Sequence, residues 1–248
     1  MKVKSILVSQ PEPSTVKSPY FELADKNGLK IDFRPFIQVE GVPAKEFRQT
    51  RIQILEHTAV IFTSRTAIDH FFRISKELRL TIPDSMKYFC ISEATAFYLQ
   101  KYIVYRKRKI FYADGRFNDL VNVMKKHKSE TFLVPLSDIH KQEIPELLES
   151  EGYKYTKAIL YRTVSSDLSD LSDIKYDVLV FFSPSGIKSL FQNFPDFRQD
   201  NTRIACFGPA TAKAIKDAGL RLDIQAPTAQ APSMTMALEQ YIKKNNKN

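Results

Sequence analysis

The chain has little of what would tie it to a disulfide framework, a metal or a membrane. Its 248 residues include two cysteines, four histidines and no tryptophan. Two cysteines do not staple a chain of this length, and with four scattered histidines they make no metal constellation. No apolar run approaches a membrane span, and Met1-Lys2-Val3-Lys4 leads straight into a strand rather than a signal-peptide hydrophobic stretch. These absences predict a cytoplasmic protein without a metal site. Acidic side chains are in deficit as well: 28 Asp and Glu stand against 37 Lys and Arg, a net charge of +9. That balance favours an anionic partner, whether nucleic acid, an anionic membrane surface or a multiply carboxylated small molecule.

What the chain does have is a repeat. Val60-Ile61-Phe62-Thr63-Ser64-Arg65-Thr66-Ala67-Ile68 returns as Leu179-Val180-Phe181-Phe182-Ser183-Pro184-Ser185-Gly186-Ile187, each an apolar strand running into a Ser/Thr turn that opens a helix. A second pair follows: Cys90-Ile91-Ser92-Glu93-Ala94-Thr95-Ala96 and Cys206-Phe207-Gly208-Pro209-Ala210-Thr211-Ala212. The two cysteines occupy the same place in the two copies, so they belong to corresponding strands, too far apart to pair. Both are expected to be core thiols.

Another unit, of a different kind, is also repeated. A strand at 5–9, a helix around 20–24, the stop Asn27-Gly28 and a strand at 29–33 have their counterpart in a strand at 131–135, a helix at 144–151, Gly152 and a strand near 157–161. In the Phe62 and Phe181 copies the following helix carries Ile68, Phe71 and Phe72, or Ile187, Leu190 and Phe191, at the spacing of a core-facing stripe. Strands alternating with helices at this interval predict parallel sheets built from right-handed crossovers. Two connectivities satisfy the pattern: two sequential halves, or an early crossing near 35–40 with a return near 160–165.

In an open parallel sheet ligands collect beyond the carboxyl ends of the strands. Ser64, Thr66, Thr95, Ser183, Ser185 and Thr211 all fall at such ends, where the first turn of a helix offers unpaired N–H donors and partial positive charge to a carboxylate or phosphate. Gly186 and Gly208 are expected to let the backbone approach a ligand. Each hydroxyl also has an ordinary use as an N-cap, worth about 1 kcal/mol without any ligand. Their recurrence at matched positions is what points to binding.

The segments Phe181-Phe182-Ser183-Pro184-Ser185-Gly186, Phe207-Gly208-Pro209-Ala210-Thr211-Ala212-Lys213-Ala214, Gly219-Leu220 and Ala231-Pro232-Ser233 resemble, in that order, the C-terminal signature of the uroporphyrinogen-III synthase family. Phe62-Thr63-Ser64, Leu160-Tyr161-Arg162-Thr163 and Ser18-Pro19-Tyr20 extend the likeness over nearly the whole chain. The resemblance implies two similar α/β lobes, each a flavodoxin-like parallel sheet flanked by helices, joined by two extended crossings with a cleft between the lobes. Residues 1–34 and 166–248 would form one discontinuous lobe and 35–165 the inserted other, including crossings near 35–40 and 159–165. It also implies a cyclising hydro-lyase of tetrapyrrole (haem) biosynthesis that needs no cofactor: hydroxymethylbilane loses water and closes with its terminal pyrrole ring inverted.

By the same resemblance Tyr161 is the candidate catalytic residue, assisting departure of the hydroxyl. Ser64, Arg65, Thr66, Ser92, Thr95, Ser183, Ser185, Gly186, Gly208, Thr211, Ser233 and Tyr20 are candidate substrate contacts, and Lys141, near a helix start, is a candidate for holding a side-chain carboxylate. The chain departs from the family where Arg65-Thr66 replaces a proline and an Asn or Arg, and where Ser92-Glu93 stands in place of a glycine. The expected partner is the small-molecule substrate, with no nucleic acid and no membrane, in a monomer that touches neighbouring pathway enzymes at most transiently.

Two rival readings remain from other classes. Tyr102, Tyr105 and the basic residues of 101–109 form a stripe able to contact phosphates and stack bases; with no nucleic-acid motif beside it, it reads better as a solvated helix end and strand entry. A non-catalytic anion-binding protein on the same scaffold is the other, since fold does not fix function.

Overall fold

Short apolar runs make the strands of two sheets, and polar turns after them start the helices that cover those sheets. The structure, a computed structural model, describes residues 2–171 and 175–246. Two compact units divide the chain, one of Met1–Gln38 and Val164–Asn248, the other of Val39–Thr163. The first opens with β1 (Ser5–Val8), α1 (Pro19–Asn27) and β2 (Lys30–Phe33), and β3 (Ile37–Gly41) leads into the second. There follow α2 (Ala44–Gln49), β4 (Ala59–Phe62), α3 (Arg65–Glu77), β5 (Lys87–Cys90), α4 (Glu93–Tyr98), β6 (Ile110–Tyr112), α5 (Phe117–Met124), β7 (Thr131–Ser137) and α6 (Glu143–Ser150). β8 (Lys154–Ser165) leads back to β9 (Val178–Phe181), α7 (Pro184–Asn193), β10 (Arg203–Phe207), α8 (Pro209–Asp217), β11 (Ile224–Ala226) and α9 (Met234–Asn245).

The first sheet has the order β2-β1-β9-β10-β11 and the second β3-β8-β7-β4-β5-β6. Strands β2 to β11 of the first, and β8 to β6 of the second, pair in parallel throughout. Leaving aside the edge strand β3, the two orders correspond position by position, with β9 matching β4 and β10 matching β5. This is the 2-1-3-4-5 order of a doubly wound α/β sheet, entered in the second unit at its third strand.

β4 and β9 are buried along their whole length. Helices on both faces of a parallel sheet require that, and they explain why these strands read as unbroken apolar runs. Phe62 illustrates the packing: its ring meets Phe71 edge-on at 5.5 Å and stacks on Tyr88 at 6.1 Å. Each fully buried side chain of this size contributes roughly 1.5–3 kcal/mol. Ile68 and Phe71 of α3 face this core, as do Ile187 and Leu190 of α7 in theirs. Phe72 and Phe191 are only half-buried: Phe72 stacks on Tyr102 at 4.5 Å and Phe191 meets Phe197 at 6.3 Å. The helical stripe is therefore narrower than its sequence pattern implies.

Cys90 and Cys206 are free and buried at equivalent positions of β5 and β10. Burial pushes the Cys90 thiol up to about 12, so it stays protonated and unreactive. Among the described residues no helix is long and apolar enough to cross a membrane.

One strand differs in kind from its sequence pattern. β8 runs unbroken for 12 residues, and its ladder with β7 slips between Leu136 and Ser137: Leu136 faces Ile159, yet Ser137 faces Tyr161. Leu160 is the extra residue of a β-bulge. Bulges kink a strand and re-aim the side chains that follow, and the residue that follows here is Tyr161.

Candidate active site

Parallel strands end on one edge, and in the second unit three of the predicted residues there, Ser64, Lys141 and Tyr161, line one pocket, while Arg65, Thr66, Ser92 and Thr95 do not line it. After β4, Ser64 adopts extended backbone and its Oγ accepts the Ala67 N–H at 3.0 Å, capping α3. After β5, Ser92 does the same for α4: its Oγ accepts the Thr95 N–H at 3.3 Å and lies 3.0 Å from Thr95 Oγ1. Thr95 itself is buried. Both hydroxyls thus cap helices, and Ser64 has a further neighbour: the Tyr161 hydroxyl, 3.3 Å away. Tyr161 is 9% exposed. Burial raises its phenol above the usual range while the Ser64 contact opposes this, so it is a protonated donor at neutral pH.

A pocket of about 400 Å³ opens beside these residues. Thr63 and Ser64 line it from just after β4, Ser137 from the end of β7, His140 and Lys141 from the segment that follows, Gly115 and Arg116 from the β6–α5 turn, Asn118 from the start of α5, and Tyr161 from β8. β4 and β7 are adjacent, and the strand order reverses between them. Crevices at such reversals are where open α/β sheets hold ligands, because the loops on either side diverge. Arg116 and Lys141 are exposed cations, and among the described residues neither has an ion-pair partner; Glu143 is the pocket's one carboxylate. His140 donates its Nδ1–H to the Ser137 carbonyl at 2.9 Å, which leaves Nε2 buried without a partner among the described residues. Asp138 ties this segment to β8 by accepting the Thr163 N–H at 3.0 Å. Burial opposes its ionisation, but that bond and those from Ser137 and Ile139 hold the carboxyl below its ordinary range.

The first unit repeats the corners with different detail. Ser183 caps α7 through the Gly186 N–H at 3.2 Å. Gly186 is buried, and a Cβ on it would come within 3.3 Å of the Phe181 ring. The missing side chain therefore spares a tight contact with that ring. Gly208 begins α8 at φ 89°, a left-handed conformation natural to glycine, and among the described residues no side chain caps that helix. With Pro209 next, the first-turn N–H groups of Ala210 and Thr211 have no side-chain acceptor among those residues. The Thr211 side chain is buried and Ser185 half-buried. Ser233 caps α9 through Met236 N at 3.2 Å. Tyr20, following the Ser18 cap of α1, packs edge-on against Phe33 at 5.5 Å, and burial drives its phenol up to about 12.

Arg65 is exposed with its guanidinium 5.5 Å over the Tyr98 ring, and Thr66 is half-exposed beside it. Glu93 accepts a hydrogen bond from the Tyr112 hydroxyl at 3.0 Å. Arg116, Asn118 and His140 are absent from the sequence-based site. Arg116 and His140 sit in turns and Asn118 in the first turn of α5, none within a motif; only their place after β6 and β7 marked them. In the basic stripe, Lys101 pairs with Asp69 at 3.0 Å, Arg106 with Asp84 at 3.0 Å, Lys109 bonds the Asp84 carbonyl, and Tyr102 and Tyr105 pack on the core. Part of the stripe's charge is thus paired within the fold, while Lys107 and Arg108 stay exposed.

A doubly wound α/β unit with a pocket carrying Arg116 and Lys141 at the reversal of its sheet has the form of the open-sheet folds that hold small ligands at that place. Comparison with known proteins narrows the class. A family model described as uroporphyrinogen-III synthase HemD matches residues 18–236; the chain belongs to the uroporphyrinogen-III synthase family. A curated relative, the uroporphyrinogen-III synthase of Saccharomyces cerevisiae, is 28% identical over 145 residues, 52% of each chain, so the match spans about half of that relative. The fold is shared with uroporphyrinogen-III synthetase from Helicobacter pylori 26695, at 17% identity and TM-score 0.62 over 98% of this chain and 100% of that one. A mutant uroporphyrinogen III synthase from the extremely thermophilic bacterium Thermus thermophilus gives 15%, 0.53, 99% and 100%.

Proposed function

We propose that this protein converts hydroxymethylbilane to uroporphyrinogen III. The observation that carries the reading is the convergence, at the β4/β7 reversal, of a buried protonated tyrosine, two cations without ion-pair partners among the described residues, and a wall of helix-start corners. A linear tetrapyrrole bearing many carboxylates needs charge-assisted hydrogen bonds to fix its conformation. Arg116 and Lys141 supply two, and the N–H groups at the starts of α3, α5 and α6 supply a field of the right sign. We infer that the corners at Ser183 to Gly186, Gly208 to Thr211 and Ser233 contact substrate in the same reaction, with Ser64, Ser92, Thr95 and Tyr20 aiding through the shape of their turns.

Tyr161 hydrogen-bonds or protonates the substrate hydroxyl as its C–O bond breaks, so that water departs and an azafulvene remains. The already substituted carbon of the terminal ring attacks that electrophile, giving a spiro intermediate. One bond of the spiro centre then breaks and recloses at the other position, inverting the ring. The net change is loss of water; no electrons leave the system, and the chemistry calls for no redox cofactor. Because the same substrate closes without inversion when unaided, the protein's main contribution is to hold the two ends so that the inverted closure is faster. We infer a monomeric cytoplasmic enzyme.

Isomer analysis tests this. Incubated with fresh hydroxymethylbilane, followed by oxidation and separation, the purified chain is expected to give type III uroporphyrin well above a no-enzyme control. Type I alone, at the control level, would retire the proposal in favour of a non-catalytic binder.

A further inference from the structure

The Tyr161 ring does not stand alone. His70, on α3, stacks against it with centroids 5.0 Å apart and planes within 15°. His70 is held in turn: Arg73 donates Nε–H to its Nδ1 at 3.1 Å, so the ring carries its proton on Nε2. Burial, followed by the neighbouring Arg73 charge, lowers the tendency of this imidazole to protonate, which keeps Nδ1 free to accept. Asp69 and Glu77 also face the ring and act in the opposite sense, more weakly.

Arg73 is itself fixed by several partners. Its Nη2 donates to the Val42 carbonyl at 2.9 Å and the Leu160 carbonyl at 3.3 Å, and Nη1 pairs with Glu77 at 2.6 Å, one helical turn on. The guanidinium lies against Gly41, where a Cβ would come within 2.6 Å of it. Leu160 is the bulge residue, and its carbonyl also accepts the Val42 N–H at 2.9 Å. One helix thus grips the bulge by its backbone through Arg73 and the aimed side chain by its ring through His70. Ser64 meets the hydroxyl of that side chain from the same helix's start.

We propose that His70 is a positioning residue for Tyr161: stacked on its ring and oriented by Arg73, it fixes the direction of the phenolic hydroxyl at the mouth of the pocket. The inference rests on the reading of Tyr161 as the hydroxyl donor of the reaction. His70 touches no reacting atom and acts through Tyr161 alone.

A double-mutant cycle separates this from a general structural role. His70→Ala is expected to lower kcat for uroporphyrinogen III formation about tenfold with KM within about twofold, and His70→Phe, which keeps a flat ring, to recover most of the loss. In a Tyr161→Phe background, where no hydroxyl remains to be aimed, His70→Ala is expected to cost nothing further. An equal loss in both backgrounds, or no loss in the first, overturns the proposal.

A second readout is independent of turnover. With tyrosines labelled at 13Cζ and the Tyr161 signal identified by its disappearance in Tyr161→Phe, the signal is expected to move in His70→Ala and return in His70→Phe. A signal unmoved by His70→Ala overturns positioning even in an active enzyme. If the unaltered chain makes no type III isomer, the functional reading fails while this signal still decides whether His70 orients the ring.

Discussion

Replacing Tyr161 with phenylalanine is expected to lower kcat for uroporphyrinogen III formation by about 100-fold while KM moves less than about threefold, the pattern of an interaction made only in the transition state. On the proposed reading the ring contributes packing and the hydroxyl chemistry, and this substitution separates them. Phenylalanine keeps the stack on His70 at 5.0 Å and the burial of the ring. Ser64 loses its 3.3 Å neighbour but keeps the Ala67 N–H at 3.0 Å, so no polar group is left without a partner and stability should change by less than about 1 kcal/mol. What disappears is a donor that burial keeps protonated. Steady-state kinetics with isomer separation checks the outcome. A kcat equal to that of the unaltered enzyme would reduce Tyr161 to a packing residue.

The second large effect concerns binding. Arg116→Ala combined with Lys141→Ala is expected to raise KM roughly 30-fold, since two partly solvated charge-assisted contacts at about 1 kcal/mol each sum to about 2 kcal/mol. kcat should change little, because carboxylates distant from the reacting carbon are held equally in ground and transition states. Each single change should give about a fivefold rise. The difference from the unaltered enzyme should also shrink in about 1 M salt, where the Debye length falls to about 3 Å. Both side chains are exposed on the pocket wall without ion-pair partners among the described residues, so their removal leaves no buried charge stranded. An unchanged KM would remove this pocket from substrate binding.

The sequence made some of this legible and hid the rest for definite reasons. β4 and β9 were readable because strands covered on both faces must be apolar throughout, and the Ser64, Ser92 and Ser183 turns because N-caps draw on few residue types. The equivalence of Cys90 and Cys206 followed from the same repeat. The Leu160 bulge was not readable: register belongs to a pair of strands, and neither β7 nor β8 carries a local mark of the slip. His70 looked like one of four scattered histidines because its partners Arg73 and Tyr161 come together only through folding. Gly186 has a packing role that the sequence hid for a related reason. A glycine at a helix start fits both close approach to a ligand and close packing on a ring, and the second shows only once folding brings Phe181 beside it.

The proposed function requires the tetrapyrrole to bind at the carboxyl ends of the strands. Amide chemical-shift mapping with uroporphyrin III as the probe tests this directly. The predicted result is perturbation clustered at residues 64–67, 115–118, 137–141, 183–186 and 208–211. Shifts confined to the opposite edge, around the pocket of about 230 Å³ lined by Ile82, Tyr102 and Lys109 at the starts of β5 and β6, would contradict it.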